Sequence, residues 1–110
     1  GSFKNSSESF LISVEKVAEN SSVFAINDIN PVAPTHILVI PKEHHENAGV
    51  LASEAPETLA MIFSLAKELA VAKGLSGYRS VFNTGASAGQ SVFHAHLHLI
   101  AGRDLSWPPG

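Results

Sequence analysis

The sequence predicts a single α+β domain, with five strand candidates and one long helix, and three observations support it. The chain has 110 residues, 45% hydrophobic and only 15% charged. Such a domain buries roughly 60 to 68% of its unfolded surface, which rules out both a disordered segment and a large multidomain enzyme. Short β-branched and aromatic runs separated by turn clusters recur along the chain. One stretch, Pro56 to Gly74, instead carries apolar residues at helical spacing.

Gly1-Ser2 reads as the scar of a cleaved expression tag and residues 1–9 as a disordered, serine-rich tail, so the domain is expected to span 10–110. Phe10 to Val17 and Ser22 to Asn27 are strand candidates, and Glu19-Asn20-Ser21 between them is a polar turn cluster. A hairpin is expected. Pro31 and Pro34 deny a helix to Asp28–Thr35 and set up a turning loop. The run from His36 to Pro41 is apolar on both faces, which places it mid-sheet with cover on both sides. Lys42 to Ala55 is polar and alanine-rich, with a short helical turn near Ser53.

Pro56-Glu57-Thr58 then supplies a first helical turn, with Pro near the first position and an acidic residue at the positive end of the dipole. Leu59, Ile62, Phe63, Ala66, Leu69 and Ala70 form its apolar stripe, and Gly74 is a left-handed cap. Tyr78 to Thr84 reads as a strand, Gly85 to Gly89 as a small-residue loop, and Ser91 to Ala101 as a long alternating strand. The tail, ending Trp107-Pro108-Pro109-Gly110, cannot be a central strand and must lie across a surface.

Seven Lys plus Arg against ten Asp plus Glu give a formal charge of -3, so no general field draws a nucleic acid polymer or an acidic membrane. Any bound phosphate must be gripped locally. The absence of cysteine excludes disulfides, thiolate zinc sites and a cysteine nucleophile, and agrees with a reducing compartment. No apolar run approaches the roughly 20 residues of a transmembrane helix, and no signal-peptide pattern opens the chain. A soluble, cytoplasmic protein is expected.

Six histidines are present, and His94, His96 and His98 alternate along one strand candidate while Ala95, Leu97 and Leu99 point into the core. Same-face neighbours on a strand lie about 6.5 to 7 Å apart, so adjacent imidazoles can share a small ligand. Three readings are open from spacing alone. The face is simply solvated or packed under a loop; or two of the histidines bind zinc or copper with a third ligand from elsewhere, no carboxylate lying between Gly85 and Arg103; or a neutral imidazole acts on an electrophile such as phosphorus. The loop Gly85-Ala86-Ser87-Ala88-Gly89-Gln90-Ser91 turns the balance toward phosphate. Its small residues can bring backbone N–H groups to an anion, with the Ser91 hydroxyl and the Gln90 amide as further donors. His44 and His45, beside Lys42, Glu43 and Glu46, read as solvated loop residues.

The stretch Asn83 to Ile100, containing His94-Ala95-His96-Leu97-His98-Leu99-Ile100, closely resembles the signature of the histidine triad superfamily. Two further segments, Asp28 to Lys42 and the terminal Trp107-Pro108-Pro109-Gly110, resemble its nucleotide-binding branch. The resemblance implies a five-stranded antiparallel sheet with one long and one short helix, and a homodimer that extends the sheet. It implies a purine nucleoside phosphoramidate hydrolase without cofactor or metal, cutting the P–N bond of AMP or GMP phosphoramidates. A low-turnover nucleotide-binding or regulatory module would carry the same motifs.

In the implied scheme His96 attacks phosphorus, oriented by a backbone carbonyl, and His98 donates to a phosphate oxygen. His94 completes the triad and His36 packs beside it. Ser91 and backbone amides of the loop at Gly89 and Gln90 meet the other oxygens, and Asn83 is a phosphate-side amide. Asp28 holds the ribose hydroxyls, Ile29 lies beside the base, Phe24 and Ile26 are further base-pocket walls or plain core, and Trp107 reaches toward the partner's site. Departures from the pattern are the lack of the Cys-x-x-Cys zinc site found in part of the family, Ser106 before Trp107, Phe93 where Tyr is frequent, and Ala88 for a frequent Gly. These leave rate and amine preference as the open quantities.

Overall fold

The computed structural model describes residues 15–110. The expected tail and most of the first strand candidate lie outside the described residues. The elements are β1 (Ala18–Glu19), β2 (Val23–Asn27), β3 (Thr35–Pro41), α1 (Ala48–Glu54), α2 (Pro56–Ala72), β4 (Arg79–Val81), a 3-10 turn (Ala86–Ala88) and β5 (Leu97–Ala101). The strands form one antiparallel sheet in the order β1-β2-β3-β5-β4. Five strands with one long and one short helix is the fold class the sequence led to.

The hairpin forms, one position later than its turn cluster suggests. Glu19 still pairs with Phe24, and the turn begins at Asn20, whose Oδ1 accepts from the N–H groups of Ser22 (2.9 Å) and Val23 (3.0 Å). β3 lies mid-sheet between β2 and β5. One face, carrying Ile37 and Val39, joins Val23, Ala25, Leu97 and Leu99 in a core closed by Leu51 of α1 and by Ile62, Leu65 and Ala66 of α2. The other face buries Ile40 with Phe24 and Ile26, and Leu38 packs against them. Burial on both faces accounts for the absence of alternation in this strand.

Three elements differ from expectation. The short turn near Ser53 is a full helix, α1, because Asn47 caps it, its Oδ1 accepting from the Val50 N–H at 2.9 Å. In α2 the core positions are Ile62, Leu65, Ala66 and Ala70, whereas Phe63 is 47% exposed and its ring tilts against Phe82 on the rim. The stripe is thus rotated toward Leu65. The long final strand is shortened to Leu97–Ala101, since the ladder with β3 stops where Leu97 meets Val39. Upstream, the Ala95 N–H turns to the His45 carbonyl at 2.7 Å, a partner in the loop after β3. β4 is likewise three residues rather than seven.

Candidate active site

Residues paired across an antiparallel ladder share a face, and the pairs Leu38–His98 and His36–Ile100 therefore put His36 diagonally beside His98. Their rings meet with His36 Nε2 2.9 Å from His98 Nδ1. Asp28 follows β2 directly, and its N–H donates to the His36 carbonyl at 2.9 Å. That contact brings its carboxylate to 3.5 Å from His36 Nε2. A second carboxylate oxygen accepts from the Asn30 N–H at 2.8 Å, fixing the turn. The carboxylate missing from the triad's own flanks is supplied by the neighbouring hairpin.

His94 and His96 precede β5, yet alternation survives: Ala95 is buried in the core and the imidazoles take the other side. His96 Nδ1 is 2.7 Å from the His94 carbonyl. A carbonyl only accepts, so Nδ1 carries the hydrogen, and Nε2 is the nitrogen that presents a lone pair in the uncharged form of the ring. The His96 and His98 rings are 4.9 Å apart. His94 is buried, with Nε2 2.8 Å from the Pro41 carbonyl and Nδ1 3.0 Å from His44 Nδ1. By the same logic His94 donates from Nε2 and, when neutral, accepts from His44 at Nδ1. Burial above all, reinforced by neighbouring histidines, pulls the pKa values of His94 and His98 down to about 4. Both are neutral near pH 7.

The small-residue loop uses most of its amides on itself. The N–H groups of Ala88 and Gln90 donate to the Gly85 carbonyl and that of Gly89 to Ala86, around glycines at φ +89 and +96 that a side chain would strain. Gln90 corrects the expectation of a phosphate donor. Its side chain is buried, its Oε1 accepting from the Gly85 N–H and its amide donating to the Glu46 and Val92 carbonyls. It braces the loop and has no free N–H to offer. Asn83 Nδ2 lies over Gly89, 3.9 Å from where a Cβ would stand, and Ser91 is exposed at the loop's end.

Phe24 and Ile26 are buried on the triad's face of the sheet, whereas Ile29 is 77% exposed and Trp107 82% exposed. The tail bearing Trp107 is held by Arg79, whose guanidinium donates to the carbonyls of Leu105 and Ser106. Nothing in the local sequence singles out Arg79. His44 and His45 are corrections. His44 is exposed but bonds and stacks on His94, and His45 is buried, with Nδ1 3.0 Å from Glu54 Oε1. Neither is a plain solvated loop residue: the loop after β3 folds back onto the triad, a long-range contact no local pattern reports.

A family model for the HIT domain matches residues 11–105. The chain belongs to the HIT family. This HIT protein is 47% identical over 97 residues to a 14 kDa zinc-binding protein of Zea mays, covering 86% of this chain and 76% of that one. It is 43% identical over 100 residues to a HIT-like protein of Synechococcus elongatus, with 90% and 88% covered. Among solved structures, a HIT family hydrolase from Legionella pneumophila aligns with TM-score 0.85 and 46% identity over 93% of each chain. One from Clostridium thermocellum aligns with TM-score 0.82 and 39% identity over 90% and 88%. Among the described residues, no helix of this HIT protein is long and apolar enough to cross a membrane.

The maize relative's name raises the question of a metal. Among the described residues one group, Asp28, His36 and His98, has ligand atoms all within 4.8 Å of one another. Its donor set suits zinc, but its hydrogen bonding does not. The Val32 N–H donates to His36 Nδ1 at 3.2 Å. Ligating a metal through Nε2 would move the His36 proton to Nδ1, directly against that N–H. As folded, the cluster is a hydrogen-bonded unit and does not fit the ion.

Proposed function

We propose that this HIT protein is a hydrolase of purine nucleoside phosphoramidates, cleaving the P–N bond to yield nucleoside monophosphate and amine through a nucleotidyl-His96 intermediate. The observation that carries the reading is the Nε2 of His96, left without a partner among the described residues by the His94 carbonyl's hold on Nδ1 and set beside the imidazole of His98. The Legionella and Clostridium structures named as hydrolases support the reaction class.

Attack of Nε2 on phosphorus forms an N–P bond as the original P–N bond breaks, and the amine leaves with a proton taken from solvent or an acidic group. The nucleotidylated ring then bears positive charge, which its Nδ1–H shares with the His94 carbonyl in a charge-assisted bond. Water cleaves the new bond, returning the free imidazole. Dividing one difficult displacement into two easier ones is what covalent catalysis offers. His98 donates to a non-bridging oxygen, and Ser91 and Asn83 serve the other oxygens and the leaving group. The loop's internal use of the Gly89 and Gln90 amides leaves the exposed Ser91 as its principal donor.

Asp28 would take the ribose hydroxyls, and Ile29 would lie on the base with Phe24 and Ile26 behind it. The exposed Trp107 would rest on the second copy of a homodimer, since a large aromatic left in water favours a partner surface. Mixing the protein with adenosine 5′-phosphoramidate and quenching within one turnover should give intact protein heavier by one nucleotidyl group. His96→Ala should give none and release no amine, while keeping nucleoside monophosphate binding within roughly tenfold. A wild-type protein that binds nucleotide but never forms the adduct is a binding module.

A further inference from the structure

We propose that His45 is a positioning residue for the nucleophile: its ring, tied to Glu54 at the end of α1, holds the loop carbonyl that sets the plane of the peptide joining His94 to Ala95. That peptide orients His96 through its C=O, which accepts from His96 Nδ1 at 2.7 Å. Its N–H belongs to Ala95 and donates to the His45 carbonyl, also at 2.7 Å. The unit is planar and trans, so the two groups point in opposite directions and turning one turns the other. An N–H that donates also polarises the carbonyl of its own peptide, which strengthens the hold on His96. The tether takes over where the sheet leaves off. The ladder between β3 and β5 ends where Val39 meets Leu97, and residues 94–96 lie beyond it.

The ring of His45 has an anchor of its own. An ionised carboxylate only accepts, so the buried His45 donates from Nδ1 to Glu54 Oε1 at 3.0 Å. Its Nε2 is also buried, and it has no hydrogen-bond partner among the described residues. Glu54 closes α1, where the free carbonyls of a helix end disfavour an acidic side chain. Each residue is thus a poor choice for its own place: an aliphatic side chain would bury without an orphan nitrogen, and a basic one would suit the helix end. Two local misfits that meet in one hydrogen bond point to what that bond does for the site rather than for the fold. Only two torsions separate the imidazole from its backbone, so anchoring the ring to a helix anchors the carbonyl. The consequence for turnover rests on the hydrolase reading above, whereas the tether itself does not.

Amide hydrogen exchange on the ligand-free protein reads the tether directly, and kinetics with adenosine 5′-phosphoramidate read its effect. His45→Leu fills the space without a donor. Its unfolding midpoint in denaturant should equal or exceed that of wild type, while the Ala95 N–H exchanges at least about tenfold faster and kcat falls about 10- to 10²-fold with KM within about threefold. His45→Asn, whose amide nitrogen takes the place of Nδ1, should invert that order. It leaves a cavity and lowers the midpoint, yet recovers most of the rate and of the Ala95 protection. Glu54→Ala carries the same test from the exposed end of the bond, where folding is not at stake, and should again speed exchange at Ala95. Wild-type exchange at Ala95 in His45→Leu, or in Glu54→Ala should the first variant not fold, overturns the proposal. So does a rate that simply follows the unfolding midpoint across the variants, the pattern of a residue that only holds the fold. Faster exchange at Ala95 in a protein that forms no nucleotidyl adduct would uphold the tether and remove the hydrolase.

Discussion

His36 meets His98 at 2.9 Å and His44 meets His94 at 3.0 Å, one pair on each side of His96. The distances match, and the surroundings do not. The first pair starts from an amide N–H and lies on the sheet face, with His36 buried and His98 half-buried. The second ends on a carbonyl, that of Pro41, and opens outward at His44, which is exposed. A buried ring that accepts from a fixed backbone donor must carry its hydrogen on the other nitrogen. A ring whose partner stands in water can have that partner replaced by a solvent molecule at little cost. On the proposed hydrolase reading, similar pairs of histidines thus do different jobs, one setting chemistry and the other holding shape.

The sharpest way to break this comparison is to remove the inner member of each pair. His98→Ala should lower kcat about 10²- to 10³-fold, some 2.7 to 4 kcal/mol, the scale of one donor aimed at developing charge. A loss under tenfold in steady-state kinetics would deny the His98 pair its chemical role. His94→Ala should act first on the fold. It strips the Pro41 carbonyl of its donor and opens a cavity at a buried ring, at a cost of about 2 to 3 kcal/mol in denaturant unfolding. An unchanged unfolding midpoint would place His94 outside the frame that holds the nucleophile.

The fold and the site were not equally legible in the sequence. Pro56, the spaced apolar residues and Gly74 mark α2, and β3 shows itself by being apolar on both faces, because these signals are local. The alternation His94-Ala95-His96-Leu97-His98 likewise survives where the strand does not, since burial of Ala95 and Leu97 fixes which way the imidazoles point. What stayed hidden is everything arriving from another part of the chain. Gln90 reads as a phosphate donor until Glu46 and Val92 are seen to occupy its amide. His44 reads as solvated until the loop after β3 folds onto His94. Phe63 satisfies the helical period, but the helix is rotated to bury Leu65 instead, a choice made by the sheet beneath.

Acid should expose the feature the two inner rings share. His94 and His98 have pKa values near 4 when folded, against 6.5 for an ordinary histidine, so on acidification the unfolded chain takes up protons first. Their contribution to stability is complete above about pH 6.5, is lost as pH falls toward about 4, and changes little below that. The loss should be on the order of 1 kcal/mol per ring, below the value of the full shift, because water reaches the half-buried His98 and the exposed His44 beside His94. Unfolding measured across this window in wild type and His94→Ala separates the two: the variant should show roughly half the slope. Equal slopes would mean that His94 is not held neutral by its burial.

The smallest effect is the most discriminating, because it falls on the residue whose distance to its partner alone makes it look equivalent to His36. His44→Ala deletes the hydrogen bond to His94 Nδ1 but leaves the donor that His94 gives to Pro41. Since His44 is exposed, water can reach the vacated position and supply the lost hydrogen. The cost should therefore be only about 0.5 to 1 kcal/mol of stability, with kcat within about threefold of wild type. A drop as deep as that expected for His98→Ala would show that the outer pair also governs the state of His96, by polarising the His94 carbonyl that it leans on. Position along the hydrogen-bond chain would then matter more than closure from water, and the contrast between the two pairs would have to be drawn by what each terminates on alone.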